Sequence, residues 1–422
     1  MKIHLQYGRD GLDVDIPGEN VTVLRPQFVS GLVDEQAGFV EAVRSPIGTG
    51  PLAGKIAATD RVAVVIADGT RALPSDRLLP WLFAELGHVP AENFTIIVGT
   101  GTHRPNTAEE IVGIVGAETA ARYRVINHNA YDKSTMAEAR SGADGVPALW
   151  MNREYVEADR RILVGFIEPH FMAGYSGGYK AVFPGVADLK SILHYHRAEM
   201  IGHPRSAWGV LEDNPTQAHI RRMGSALPVD FLLNVTLNHQ QQITRFYCGD
   251  VITAHEAGCG FAKETAMVAC PGRYPLVITT NSGYPLDQNL YQSVKGMCAA
   301  AEIVAAGGEI VTVARCNDGF PSHGNFAAML AEYGSAQAML DAVYAPGFHK
   351  LDQWQIQKFA QVLLRAKVSL YSELSPAQAR QAHLTPIGDL NAYLRQRVNE
   401  LGADTPIAVL PEGPMTIPYL IQ

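Results

Sequence analysis

RVAVVIADGTR, residues 61–71, decides the fold class. After Arg61, residues 62–67 are apolar without polar alternation, so 61–67 has the pattern of a strand buried on both faces of a sheet. The run then breaks into Asp68-Gly69-Thr70-Arg71, a turn built from residues that can bind and ionise. In open parallel sheets ligands sit just beyond the carboxyl ends of strands, so such a turn is the place to look for chemistry. Similar runs recur at residues 94–98, 161–167, 275–280 and 309–313, with weaker ones at 368–371 and 407–410. Helical patterns separate them. Ser75 starts a segment reaching residue 86, Thr107 and Glu110 have capping-box spacing, and Asp287 is placed to cap a helix running to about residue 304. This alternation predicts an α/β protein with mainly parallel sheets.

At 422 residues the chain is long for one core, and the usual domain size argues for two domains. The turn-rich CPGRYP at 270–275 interrupts the alternation. It places an N-terminal α/β domain at 1–270 and a C-terminal α/β domain at 271–422, whose last residues are expected to pack back on the first. No internal repeat is visible.

Hydrophobic residues make up 47% and charged residues 18%, which fits packed cores and excludes a disordered class. With 34 basic against 42 acidic residues the formal charge is -8, so the chain does not carry the cationic surface of a nucleic-acid binder. The opening MKIHLQYGRD lacks the apolar core of a signal peptide, and no run has the 18 apolar residues of a membrane span. A cytoplasmic protein without membrane partners is expected. Five cysteines, odd in number and without a CxxC pair, read as reduced and mostly buried.

The second run ends in GTGTHRP, bringing His103, and the third in EPH, bringing His170. Singly, a histidine after a strand is more often a structural hydrogen-bonder than a catalyst. If the first three strands are neighbours, however, Arg71, His103 and His170 converge on one sheet edge as an anion clamp and two groups that exchange protons near neutral pH. Residues 168–185, EPHFMAGYSGGYKAVFPG, fail as a phosphate loop, because Tyr179 separates Gly178 from Lys180 and Ala181 replaces the hydroxyl residue. Gly174, Gly177 and Gly178 still permit close backbone approach to a large ligand, and Lys180 is either a phosphate contact or a covalent attachment point. His194 and His196, two apart, cannot share a helix face and so do not ligate one metal together. No HExxH-type spacing occurs among the 14 histidines. A lone imidazole can still hold a metal whose other ligands come from a cofactor. Tyr291 and Lys295, four apart with Gln292 beside them near a helix start, form a candidate anion site. Trp354 reads as core packing, and His323 as a possible substrate contact.

Taken in order, DGTR (68–71), GTHRPNT (101–107), PHFMAGYSGGYKAVFPG (169–185) and YQSVK (291–295) resemble the nickel-dependent lactate racemase family over nearly the whole chain. The resemblance implies two α/β domains around an active-site cleft and a nickel-pincer nucleotide derived from nicotinic acid. It makes Lys180 the attachment lysine, His196 the protein ligand to nickel, and His103 and His170 the acid/bases of a hydride shuttle that racemises or epimerises 2-hydroxy acids. Gly174, Gly177 and Gly178 would cradle the nucleotide. Asp68, which orients Arg71 or caps its turn, is grouped with the cofactor-binding residues. Arg71, Tyr291, Gln292, Lys295 and Trp354 would line the substrate carboxylate and neighbouring anion sites. Cofactor-biosynthesis enzymes become expected partners. Two alternatives remain: a non-catalytic α/β protein binding a sugar acid or phosphate, and a dehydrogenase using a freely dissociating nicotinamide nucleotide, against which no GxGxxG follows the first strand.

Overall fold

The computed structural model describes residues 1–143, 145–321 and 324–421. The chain divides into two compact units: Phe28–Tyr195 with Arg205–Thr265, and Met1–Gln27 with His196–Pro204 and Ala266–Gln422. Two stretches that precede the turn at 270 therefore group with the C-terminal half.

The first unit is built on a six-stranded sheet in the order Ile243–Gly249, Phe231–Leu237, Arg160–Phe166, Val62–Ala67, Phe94–Gly99, Arg124–Asn127. Every pairing is parallel except the edge hairpin of Phe231–Leu237 with Ile243–Gly249. Val62, Ala63, Val64, Val65 and Ile66 are all essentially inaccessible to water, as a parallel strand covered on both faces must be. Val62, Val64 and Ile66 face one core with Phe39 and Val43 of helix Glu35–Arg44 and Leu78, Leu79 and Leu82 of helix Ser75–Glu85. The capping box at Thr107 and Glu110 forms as its spacing predicts.

Strand order reverses between Val62–Ala67 and Arg160–Phe166: successive strands step outward to one side of the first, and later ones to the other. Such a switch point leaves a crevice at the carboxyl ends, because the connections diverge. The first three runs read from the sequence are therefore neighbours. The hairpin at 231–249 was not among those runs.

In the second unit six parallel strands lie in the order Thr385–Ile387, Lys367–Tyr371, Val304–Val313, Tyr274–Thr280, Ile407–Leu410, Val21–Val23. The N-terminal hairpin Lys2–Leu5 with Leu12–Asp15 contributes Ile3, Leu5 and Val14 to the core that holds Leu276, Ile278, Val311 and Leu394. Helix Leu290–Ala301 is capped by Asn289, whose side chain accepts the Gln292 N–H, and not by Asp287. The Asp287 carboxylate is buried and accepts instead from the backbone N–H of Gly8 and Arg315. All five cysteines are buried and unpaired. Among the described residues no helix is long and apolar enough to cross a membrane.

Candidate active site

Three loops meet at the switch point of the first unit. The turn after Val62–Ala67 places Asp68, 6% exposed, with Oδ2 2.6 Å from His103 Nδ1. Its Oδ1 accepts the Thr70 hydroxyl at 2.6 Å and the Thr70 N–H at 3.2 Å. Asp68 thus caps its turn, as one sequence reading had it, but the side chain it orients is His103. Burial alone would raise this carboxyl. The His103 imidazole, helped by Arg71 and the Thr70 hydroxyl, outweighs it and holds the group well below the ordinary carboxylate range. An ionised Asp68 can only accept, so Nδ1 of His103 carries a proton, and in the neutral ring Nε2 carries the lone pair. Asn106 links the first two loops by accepting the Gly69 N–H.

His170 follows the strand Arg160–Phe166 on a two-residue ladder with Gly174–Tyr175. Its Nδ1 accepts the backbone N–H of both Met172 and Ala173 at 3.2 Å, which places the proton of the neutral ring on Nε2. The two histidines are therefore opposite tautomers.

Lys180 lies ten residues further, in the turn Gly178–Ala181. That loop is fixed from below: Asn234, on the neighbouring strand and 1% exposed, accepts the Gly178 N–H through Oδ1. Asn234 has room because Gly165 stands opposite it in the sheet. The loop is tied sideways by the Gly101 N–H donating to the Gly185 carbonyl. Burial pushes the Lys180 amine down to about 8, with Arg71 adding to the effect and Glu168 and Asp68 opposing it. At such a value roughly one amine in ten is neutral at pH 7.

The three loop glycines have positive φ, +78°, +80° and +56° at 174, 177 and 178. A Cβ at Gly174 would lie 2.0 Å from the Val210 carbonyl oxygen, at Gly177 2.6 Å from Asn234 Oδ1, and at Gly178 2.9 Å from the His255 ring. Their missing side chains are thus required by the protein's own packing, and their effect on a ligand is to shape the loop that presents Lys180.

The second unit brings the remaining candidates together. Tyr291, Gln292 and Lys295 lie in the first turns of helix Leu290–Ala301. The Tyr291 hydroxyl accepts the Trp354 indole N–H at 3.0 Å, and Gln292 Oε1 is buried with no partner among the described residues. Trp354 lies with its ring 4.0 Å from that of His196, tilted by 30°. His196 occupies the turn after helix Leu189–Tyr195, whereas His194, in that helix, neighbours His219 at 5.8 Å. His323 lies outside the described residues. The sequence reading missed Asn106, Asn234 and two buried glutamines, Gln353 and Gln357. The one available signal was their four-residue spacing on an apolar helix, DQWQIQKF.

Residues 7–209 match the profile of the lactate racemase N-terminal domain and residues 272–417 that of the lactate racemase C-terminal domain. The lactate racemase of Thermoanaerobacterium thermosaccharolyticum is 33% identical over 419 residues, 97% of each chain. That of Lactiplantibacillus plantarum is 32% identical over 421 residues, 97% of this chain and 98% of that one. The fold matches the structure of the lactate racemase apoprotein from T. thermosaccharolyticum with a TM-score of 0.91 over 99% of this chain and 100% of that one. A protein from Thermotoga maritima, 17% identical, shares the fold with a TM-score of 0.71, covering 93% of this chain and 100% of that one.

Proposed function

The chain belongs to the lactate racemase family, and from that premise we propose that it is an isomerase inverting Cα of lactate or a closely related 2-hydroxy acid. The observation that carries the reading is the pairing of Asp68 with His103 beside a lysine of lowered basicity, at the switch point of an open parallel sheet.

The residues suit a lysine-tethered nickel-pincer nucleotide. Lys180 has the partly neutral amine that acylation requires. Among the described residues no group of three or more His, Cys, Asp or Glu is placed to hold a metal, so a nickel at His196 would take its other ligands from the nucleotide. When bound, the group would supply a hydride acceptor.

The chain's own residues manage the proton and the anion. His103 takes the hydroxyl proton of one enantiomer at Nε2, and the imidazolium so formed keeps its Nδ1 proton against the Asp68 carboxylate. His170, with its proton on Nε2, hydrogen-bonds the oxygen when it lies on the other side. For the opposite enantiomer the His170 proton must first move to Nδ1, where the Met172 and Ala173 N–H groups lose their acceptor, so that Nε2 can take the hydroxyl proton. Two bases are needed because mirror-image substrates present the hydroxyl on opposite faces. Arg71, Tyr291, Gln292, Lys295 and Trp354 are assigned to the carboxylate and neighbouring anion groups.

The test is chiral chromatography of a single lactate enantiomer incubated with protein made alongside the cofactor-producing enzymes, with nickel content and the mass of the Lys180 peptide measured on the same sample. Interconversion, lost in His103→Ala and His170→Ala, is expected. A sample carrying nickel and the Lys180 adduct that leaves every 2-hydroxy acid tried unchanged overturns the reading.

A further inference from the structure

The turn bearing His196 is held by two glutamine side chains. Gln353 donates through Nε2 to the His196 carbonyl at 3.0 Å, while its Oε1 accepts the Lys350 N–H at 3.0 Å, so the amide is fixed at both ends. Gln357 donates through Nε2 to the Ala198 carbonyl and to the Tyr344 hydroxyl, each at 2.9 Å. The two are four apart on helix Gln353–Arg365 and so share its face. Both are fully buried. Gln353 has both ends of its amide bonded, whereas Gln357 is bonded through Nε2 and its Oε1 is buried with no partner among the described residues; such buried bonds are strong because water does not compete.

Between them Trp354 lays its ring beside the imidazole. The turn is pressed close against this face: a Cβ on Gly202 would come within 2.0 Å of the Tyr344 hydroxyl and 2.8 Å of Gln357 Nε2. Gly202 has an ordinary negative φ of -82°, so space, not backbone strain, demands glycine there. Gln355, on the same helix, donates instead to the Tyr291 carbonyl. Backbone carbonyls on the histidine and two residues beyond it are thus pinned while an aromatic face limits its ring.

We propose that Gln353 and Gln357 are positioning residues that hold His196 where it ligates nickel; the inference rests on the reading of His196 as the metal's protein ligand. Groups that orient a ligand typically change metal affinity about 10–100-fold.

The experiment follows nickel release into a chelator from cofactor-loaded protein, with the mass of the Lys180 peptide monitored so that metal loss is separated from cofactor loss. Gln353→Met and Gln357→Met keep side-chain length while removing the amides. Gly202→Ala leaves both amides intact but displaces the turn, and keeps the idea testable if either glutamine variant fails to fold. Each is expected to release nickel at least about 10-fold faster with the Lys180 adduct retained. Ser369→Ala, which removes a buried hydrogen bond to Glu309 in the same unit, is expected to lower the melting temperature and release nickel as the parent does. Release at the parental rate from the glutamine and Gly202 variants, with His196→Ala releasing fast, overturns the proposal alone. Fast release from Ser369→Ala overturns it too, by reducing the effect to lost stability. Parental release from His196→Ala ends both the proposal and the ligand assignment beneath it.

Discussion

Asp68 is ionised because His103, Arg71 and Thr70 outweigh its burial, and its worth lies in what it does to the imidazole. Asp68→Asn keeps the size of the side chain but no longer holds the ring with its Nδ1 proton against a carboxylate, so racemisation by loaded protein is expected to fall about 100-fold with little change in melting temperature. Initial rates and thermal unfolding check this together. Lys180 gives the second residue-level expectation. Its folded pKa of about 8 lies below the ordinary 10.5, so above pH 8 the unfolded chain binds the extra proton and the unloaded protein gains stability as pH rises toward 10.5. Lys180→Met is expected to abolish that rise and to stabilise the unloaded protein at pH 7 by about 3 kcal/mol, seen in urea titrations at several pH values. Asp68, His103 and Lys180 were legible because each follows a strand in a chemistry-bearing turn. Asn234 was not: FLLNVTL reads as a core strand, and only the fold places its one amide under a loop some fifty residues away.

Elements were legible where their signals are local. The capping box at Thr107 needs only four residues, whereas Asp287 was misread as a cap because its partners, Gly8 and Arg315, are far away in sequence. With Asn289 as the true cap, Asn289→Ala is expected to cost about 1 kcal/mol, read as a lower midpoint in urea. It should also raise KM, since Gln292 donates its N–H to that cap. The hairpin of Phe231–Leu237 and Ile243–Gly249 escaped notice because Asn238-His239-Gln240-Gln241 contains neither glycine nor proline, and Gln241 itself adopts a φ of +59°. In the lysine loop Gly177→Ala meets both a positive φ and Asn234 Oδ1, so a loss of about 2 kcal/mol is expected. Calorimetry measures it, and the Lys180 adduct should form more slowly in the same variant.

For the molecule as a whole, the α/β class and the mainly parallel pairing were readable from alternating buried runs and helices. The grouping of residues 1–27 and 196–204 with the C-terminal half was not, because Val21–Val23 is three residues long and 196–204 has no periodic signature. Deleting residues 1–27 removes an edge strand and the apolar side chains Ile3, Leu5, Val14 and Ile16 from the core around Leu276 and Val311. Hydrogen exchange is then expected to quicken across Tyr274–Thr280 and Ile407–Leu410 while Val62–Ala67 and Phe94–Gly99 stay protected.

Val21–Val23 pairs with Ile407–Leu410, near the other end of the chain. On the ribosome the first strand therefore emerges long before its partner exists, a wait of about 20–80 s at roughly 5–20 residues per second. Throughout that interval the nascent chain carries an unpaired strand and an uncovered hairpin, so a trigger-factor-like holdase is expected to raise the yield of native protein more than any chaperone acting after release.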